Sequence, residues 1–423
     1  MNLNPLAYPD QQRTPAGWQW PTGTKRLERP CWPQSERLYQ LAQTMPTLDL
    51  QFAANRTLVD NIRGRNLVTF TRASSATYVD RDGWLKIAGT NQPRFDHNPV
   101  TGESLGLLVE EARTNIGTYS EQLDNAAWVW QSGTKTVTAN AITAPDGTLT
   151  ADMVTASTFT EIVQPNSGLV GPKAFSIFLK AGTLSVVQLR LFSSTSPSER
   201  QVDFNLLTGT ATVANGASVT SGSIQAFPDG WYRCTIVVSD VSVANSSFIR
   251  ANGETFYAWG AQTEAGAFPT SYIPTTTSTV TRAADVASIT GANFSSWYNR
   301  AQGSFYAQFK FSSAIARNPE AEVLGTSGYS GNGFMGWVAG TASQLLTIRA
   351  ATGFTDLKTL VPSYSIHSNP FASGLVNNGK FEGYPLNLEI GAKIPEGYLN
   401  GTIARIIYFP ARLHSSILQR IIQ

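Results

Sequence analysis

Pro228-Asp-Gly-Trp-Tyr-Arg-Cys-Thr-Ile-Val-Val238 sets the reading of this chain. Pro-Asp-Gly is turn chemistry, because proline presets φ and glycine accepts a positive φ. The residues that follow are aromatic or β-branched and suit a pleated strand. Working outward, the same grammar recurs. Phe175, Ile177 and Leu179 alternate with Ser176, Phe178 and Lys180, although Phe178 blurs the polar face. Val187, Leu189 and Leu191 alternate with Gln188 and Arg190, and Val202, Phe204 and Leu206 with Asp203 and Asn205. Side chains two apart share a strand face, so this is a half-buried β pattern. Phe256-Tyr-Ala-Trp-Gly-Ala261 adds another strand. Short strands with turns between them predict a sandwich or jelly roll across 116–289.

On the N-terminal side, 47–115 reads as a small β module. Leu48, Leu50 and Phe52 alternate with polar residues, and Leu67–Thr71 forms a second strand. Thr77-Tyr-Val79 and Trp84-Leu-Lys-Ile87 flank Asp80-Arg-Asp-Gly83, a hairpin signal. Leu105–Glu110 is a further strand. On the C-terminal side, polar Pro274–Thr281 descends into a new domain over 290–423. Its strands are Gly303–Phe311, Leu345–Arg349, Leu386–Ile390 and Gly401–Phe409, followed by a short helix from Ser415 to Ile422. Phe305, Ala307, Phe309 and Phe311 share one face. Residues 1–46 differ: they are rich in Pro, Gln and Arg, with Trp18, Trp20 and Trp32 interspersed. One short helix is expected there, capped by Ser35, with Leu38, Leu41, Ala42 and Met45 on its apolar face. This arm either docks on a neighbour or straps its own chain. The predicted fold class is all-β, tandem β-sandwich/jelly-roll domains with an extended N-terminal arm containing a short helix.

Composition narrows function. Only 14% of the 423 residues are charged, and the net charge is +2. A nucleic-acid binder needs a basic stripe to displace counterions, so nucleic acid is not an expected partner. The apolar share of 42% and aromatic share of 11% argue against disorder. No apolar run reaches membrane-spanning length, so no membrane insertion is expected. The start has no basic and apolar leader, which predicts folding in a cytoplasm. Cys31 and Cys234 are too few and too far apart for a disulfide framework or a zinc site.

Several separated segments carry a resemblance. Arg94–Gly102, Gly106-Leu-Leu-Val-Glu-Glu-Ala-Arg-Thr-Asn115, Tyr119–Trp128, Tyr257–Pro274 and Thr281-Arg-Ala-Ala-Asp285 resemble a segment common in structural proteins of tailed bacteriophages. Leu399–Leu413 is similar to the closing strand of phage domains of the concanavalin A-like (laminin G-like) class. The resemblance spans 47–423 in the family's order and leaves 1–46 unmatched. It implies β-sandwich modules, a carbohydrate-binding-module-like jelly roll in the middle, a concanavalin A-like domain at the end, and a trimer. Tail fibres, spikes, baseplate proteins and head fibres all carry such modules.

Candidate chemistry is sparse. Glu320-Ala-Glu322 has the same-face spacing of a glycosidase acid pair, but its next same-face residue is Leu324, so a solvated turn is the plainer use. Glu110 and Glu111 point to opposite faces, and an ion pair from one of them to an arginine is expected. Asp80 and Asp82 lack the further acids of a calcium loop and read as a hairpin turn. Gly102-Glu-Ser-Leu-Gly106 matches the nucleophile-elbow spacing, yet a strand follows Ser104 where a helix is required. Gly331–Gly336 matches a dinucleotide loop without the βαβ unit it needs. His97, His367 and His414 are scattered. Sugar recognition needs aromatic faces beside hydrogen-bonding groups. The glycine-rich loop before Trp337 offers Tyr329 and Asn332, and a second loop offers Tyr364, His367 and Asn369. Trp337 itself reads as core.

The expected function is therefore a non-catalytic virion fibre or spike protein for host-surface attachment, with no cofactor and no catalytic or metal site. Residues 1–46 would contact other virion proteins, and host polysaccharide or glycan would be the ligand. The rivals are a purely structural virion component and a polysaccharide-degrading enzyme.

Overall fold

The computed structural model describes residues 37–156, 159–169, 171–193, 200–215, 219–239, 244–299, 303–311, 321–325, 333–339, 344–347, 372–378, 387–393, 397–411, 413 and 417. Strands dominate, joined by a few short helices. Among the described residues no helix is long and apolar enough to cross a membrane.

The two ends of the chain build one sandwich. Gly401–Phe409 lies between Gly303–Phe311 and Leu48–Leu50, and Ser104–Val109 also pairs with it. The register sets Leu48 opposite Tyr408, Leu50 opposite Ile406, and Leu107 opposite Ile403. In the facing sheet, Val286–Thr290 pairs with Thr69–Thr71 on one side and Asn387–Ile390 on the other. The core between the sheets draws Leu48, Leu50, Leu107 and Val109 from the first segment, and Phe305, Phe309, Ile403 and Tyr408 from the last. The alternation read at Phe305, Ala307 and Phe309 holds, with Phe311 at the core's edge. Phe52 joins this core from a short helix, Phe52–Asn55, beyond the end of the strand.

The division of the chain thus differs from the tandem order expected of it. Residues 47–115 supply strands to the same two sheets as the residues after 286, and no self-standing module forms there. The physical reason is the core: three-residue strands such as Leu48–Leu50 bury too little by themselves and complete a sheet by pairing with a strand some 350 residues away in sequence.

The middle of the chain is an insertion with a core of its own. One six-stranded sheet runs Val129–Ser132, Phe159–Leu169, Ala244–Asn252, Val186–Ser193, Gln201–Asn205, Thr210–Asn215. The other runs Lys135–Ile142, Ala151–Ala156, Thr255–Ala265, Lys173–Ala181, Trp231–Val238, Val219–Ala226. Phe175, Ile177, Leu179, Leu189, Val202, Phe204 and Ile236 fill the space between them. Phe227 N–H closes the Pro228–Gly230 turn on the Trp231 carbonyl at 2.8 Å.

Phe178, out of place on a polar face, has a partner. The hairpin Ala76–Val79/Leu85–Ala88 reaches across the insertion's second sheet. Val79 and Leu85 pack there on Phe178, Phe227, Trp259 and Tyr272. The hairpin turn is as read: Asp80 Oδ1 accepts from Asp82 N and Trp84 N, and Gly83 adopts φ 87°. The two chain crossings between sandwich and insertion also pair, Arg113–Asn115 lying antiparallel to Val280–Arg282.

The helix Arg37–Ala42 lies on the outer face of the first sandwich sheet. Tyr39 and Ala42 pack on Tyr306, Ile407 and Phe409. The Tyr39 hydroxyl donates to Asp49, which also accepts from Arg405 at 2.9 and 2.8 Å. This part of the N-terminal arm straps its own chain. The cap Ser35, Trp18, Trp20, Trp32 and Cys31 lie outside the described residues, as does the closing helix except at Ile417.

Independent cores predict independent behaviour. A fragment of 116–275 should give dispersed amide resonances and a cooperative thermal transition. A fragment of 290–423, stripped of Leu48, Leu50, Leu107 and Val109, should give neither.

Candidate functional site

The described residues converge on the seam between sandwich and insertion. Arg72 follows the strand Thr69–Thr71, Arg94 precedes Phe95–His97, Glu110 follows Ser104–Val109, and Asp285 precedes Val286–Thr290. Strand ends from four places in the sequence thereby meet at one edge of the sandwich. Their charges are buried together. Arg94 Nη2 lies 2.5 Å from Asp285 Oδ2 and 2.8 Å from Glu110 Oε2. Arg72 Nη1 reaches Asp285 Oδ1 at 3.0 Å. Arg282 Nη1 lies 3.5 Å from Glu110 Oε2.

Backbone groups complete the set. Asp285 Oδ2 accepts from Glu110 N at 2.9 Å, and Asp285 N donates to the Glu110 carbonyl. Glu110 Oε1 accepts from Ser271 N at 2.8 Å and Oε2 from the Ser271 hydroxyl at 2.6 Å. Arg94 Nη1 donates to the Thr77 carbonyl and to Ser271 Oγ. Burial alone would raise the Glu110 carboxyl. The guanidiniums of Arg282 and Arg94, with the two Ser271 donors, outweigh it and bring the pKa down to about 2. Such groups have no spare capacity for acid–base work, and removing one strands the others in a dry setting. They are a clamp. Glu111 pairs separately with Arg113 at 2.5 Å, so each of the two glutamates has its arginine.

Beside the clamp lies a cleft of about 350 Å³ between sandwich and insertion. The sandwich side contributes Tyr78, Asp96, Lys310 and Phe311, and the insertion side Ser223, Gln225 and Arg233. Arg233 Nη2 donates to Ser176 Oγ at 3.0 Å and to the Thr270 carbonyl at 2.8 Å, and its guanidinium lies over the Phe178 ring at 5.7 Å. Asp96 Oδ1 accepts from Val79 N at 2.7 Å. Burial pushes the Asp96 carboxyl up to about 6, against the pull of the Val79 N–H and of Arg94.

The patterns singled out in sequence assemble no catalytic centre among the described residues. Ser104 stands on a strand directly opposite His97, but neither Ser104 Oγ nor His97 Nε2 has a hydrogen-bond partner. His97 Nδ1 is engaged with the Val79 carbonyl at 3.0 Å. Gly106, the last glycine of the elbow-like motif, has φ 97°, and a Cβ there would stand 2.1 Å from the Ile403 carbonyl oxygen. Close strand packing accounts for that glycine. Burial pushes the Cys234 thiol well above its usual value. Among the described residues no group of three or more potential metal ligands gathers.

Tyr329, Asn332, Tyr364, His367 and Asn369 lie outside the described residues, as do Glu320, His414 and the Gly331–Asn332 part of the glycine motif. For Glu322 and Trp337 the strand positions are described, and Glu322 lies opposite Gly336. Sequence reading found an arginine partner for the glutamate pair but missed the convergence of Arg72, Arg94, Arg282 and Asp285, and missed Asp96, Arg233 and Lys310 altogether. The available signal was the density of charged residues in Arg94–Asp96, Glu110–Arg113 and Arg282–Asp285 of a chain otherwise poor in charge.

Two outcomes follow. Asp285→Asn should cost about 3–5 kcal/mol in urea denaturation, because Arg72 and Arg94 lose their shared acid while remaining buried. The pH profile should carry the opposite signatures of Asp96 and Glu110. The raised Asp96 contributes stability that is complete below its ordinary value of 3.8 and is lost as pH rises through about 6. Glu110 contributes stability present above its ordinary 4.5 and lost as pH falls through about 2. Wild-type protein should therefore lose urea resistance between about pH 4 and 6 relative to Asp96→Asn; parallel profiles would contradict the assignment.

No protein-family model matches this sequence, and a comparison with curated proteins finds no match either.

Proposed function

We propose that this chain is an attachment component of a tailed-phage particle, a fibre or spike that presents binding loops to the host surface and performs no chemistry. The supporting observation is the seam. Paired crossings, a hairpin reaching from one sandwich onto the other, and a buried ion network hold two sandwiches in one fixed relation. A stiff display element gains from this, since rigidly linked weak sites on one oligomer raise effective concentration. The low charge of the chain suits burial against sister chains, because few ion pairs must be desolvated. In this reading the middle sandwich is a carbohydrate-binding-module-like jelly roll, and the sandwich built from both chain ends is the concanavalin A-like domain. The assembly is a trimer. The loops carrying Tyr329, Asn332, Tyr364, His367 and Asn369 meet a host glycan, and the N-terminal residues before the Arg37–Ala42 helix join other virion proteins.

The purified full-length protein should adsorb to host cells and lower phage infection by competition. A form lacking residues 1–36 should fold, keep cell adsorption and fail to enter particles. Particle incorporation without adsorption would favour the purely structural role. Shortened host polysaccharide would mark an enzyme.

A further inference from the structure

The cleft between the sandwiches is built unlike a simple gap. Its cations are arranged and left open. Arg233 is fixed through Nη2 by Ser176 and Thr270 and through its face by Phe178, while Nη1 has no hydrogen-bond partner among the described residues. Lys310 lines the same cleft, half-buried, and makes no ion pair among the described residues. A guanidinium held in place by the protein loses little freedom on meeting a planar carboxylate, which it matches with two parallel donors.

The rest of the lining selects what carries that carboxylate. Asp96, Ser223 and Gln225 offer both acceptors and donors, as a polyhydroxylated ligand requires. A phosphate brings at most two hydroxyls, against the several that a sugar offers to Asp96 and Gln225. A peptide glutamate brings no hydroxyls for Asp96. Tyr78 and Phe311, both half-buried on the sandwich wall, supply ring surface for the C–H face of a sugar. The volume of about 350 Å³ lies at the lower end for small-molecule sites and suits one or two sugar units. Glu110, also in the wall, is already saturated by Arg94, Arg282 and Ser271 and does not oppose an anion.

We propose that the cleft binds an acidic saccharide, with the sugar carboxylate on Arg233, Lys310 as the second cation, and the sugar hydroxyls on Asp96 and Gln225. This rests on the attachment reading, for which it names a ligand class and a second binding place apart from the C-terminal loops.

The test is calorimetric titration of the full-length protein with a panel of uronate- and sialate-bearing trisaccharides. Neutral trisaccharides, triglutamate peptide and inorganic phosphate serve as comparators. At least one acidic trisaccharide should bind with Kd below about 1 mM, and its neutral counterpart should bind about tenfold more weakly or worse. Lys310→Gln, which breaks no hydrogen bond or ion pair among the described residues, should weaken acidic-sugar binding about tenfold with an unchanged thermal midpoint. Arg233→Lys should weaken it as well. Failure of the whole acidic panel, equal binding of neutral sugars, tighter binding of triglutamate or phosphate, or an unaffected Lys310→Gln protein would each overturn the proposal. Cell adsorption measured in parallel separates the two readings. Adsorption by wild type and Lys310→Gln alike, without acidic-sugar binding, keeps attachment and removes the cleft. Acidic-sugar binding without adsorption keeps the cleft and removes attachment.

Discussion

The Arg94–Asp285–Glu110 ion network is the constraint to which the remainder of this structure is tied. Its members sit at strand ends drawn from both flanks of the insertion, so a sheet completed by distant parts of the chain is pinned where those parts meet. Burying charge is expensive, and hydrophobic replacements of equal shape are often as stable. What an ion network adds is direction. Arg94 accepts only a geometry that offers Asp285, Glu110, Thr77 and Ser271 at once. Greasy contacts at the seam, such as Phe178 under Val79 and Leu85, hold the two bodies together without fixing their angle so tightly.

Much of the fold was legible because its signals are local. Two-residue alternation located the strands around Phe175, Val187, Val202 and Phe305, and Pro228–Gly230 and Asp80–Gly83 announced their turns. Phe178 was legible as an anomaly, though its explanation was not, since the hairpin that covers it comes from a hundred residues upstream. The split sandwich left no local trace. Nothing in Leu48-Asp-Leu50 says that its hydrogen-bonding neighbour is Ile406–Tyr408. Pairing across such a separation is decided by the shared core, which no short window contains.

The seam was hidden for a related reason. Periodicity treats Arg94, Glu110 and Asp285 as surface residues, because lone charges on strands usually face water. Only their convergence makes them interior groups, and convergence is a property of topology. Asp96 and Arg233 follow the same logic, each unremarkable in its own strand and meaningful only across the cleft. Arg94–Gly102, Gly106–Asn115, Tyr257–Pro274 and Thr281–Asp285 are far apart in the sequence, and the seam joins residues of all four.

The pairing of Arg113–Asn115 with Val280–Arg282 means that the chain leaves the sandwich and returns to it through neighbouring strands, about 5 Å apart. A domain attached in this way is a cassette. The frame still leans on its cargo: with the insertion removed, Glu110 would lose both Ser271 donors, and Val79 and Leu85 would lose the apolar cover of Phe178 and Trp259.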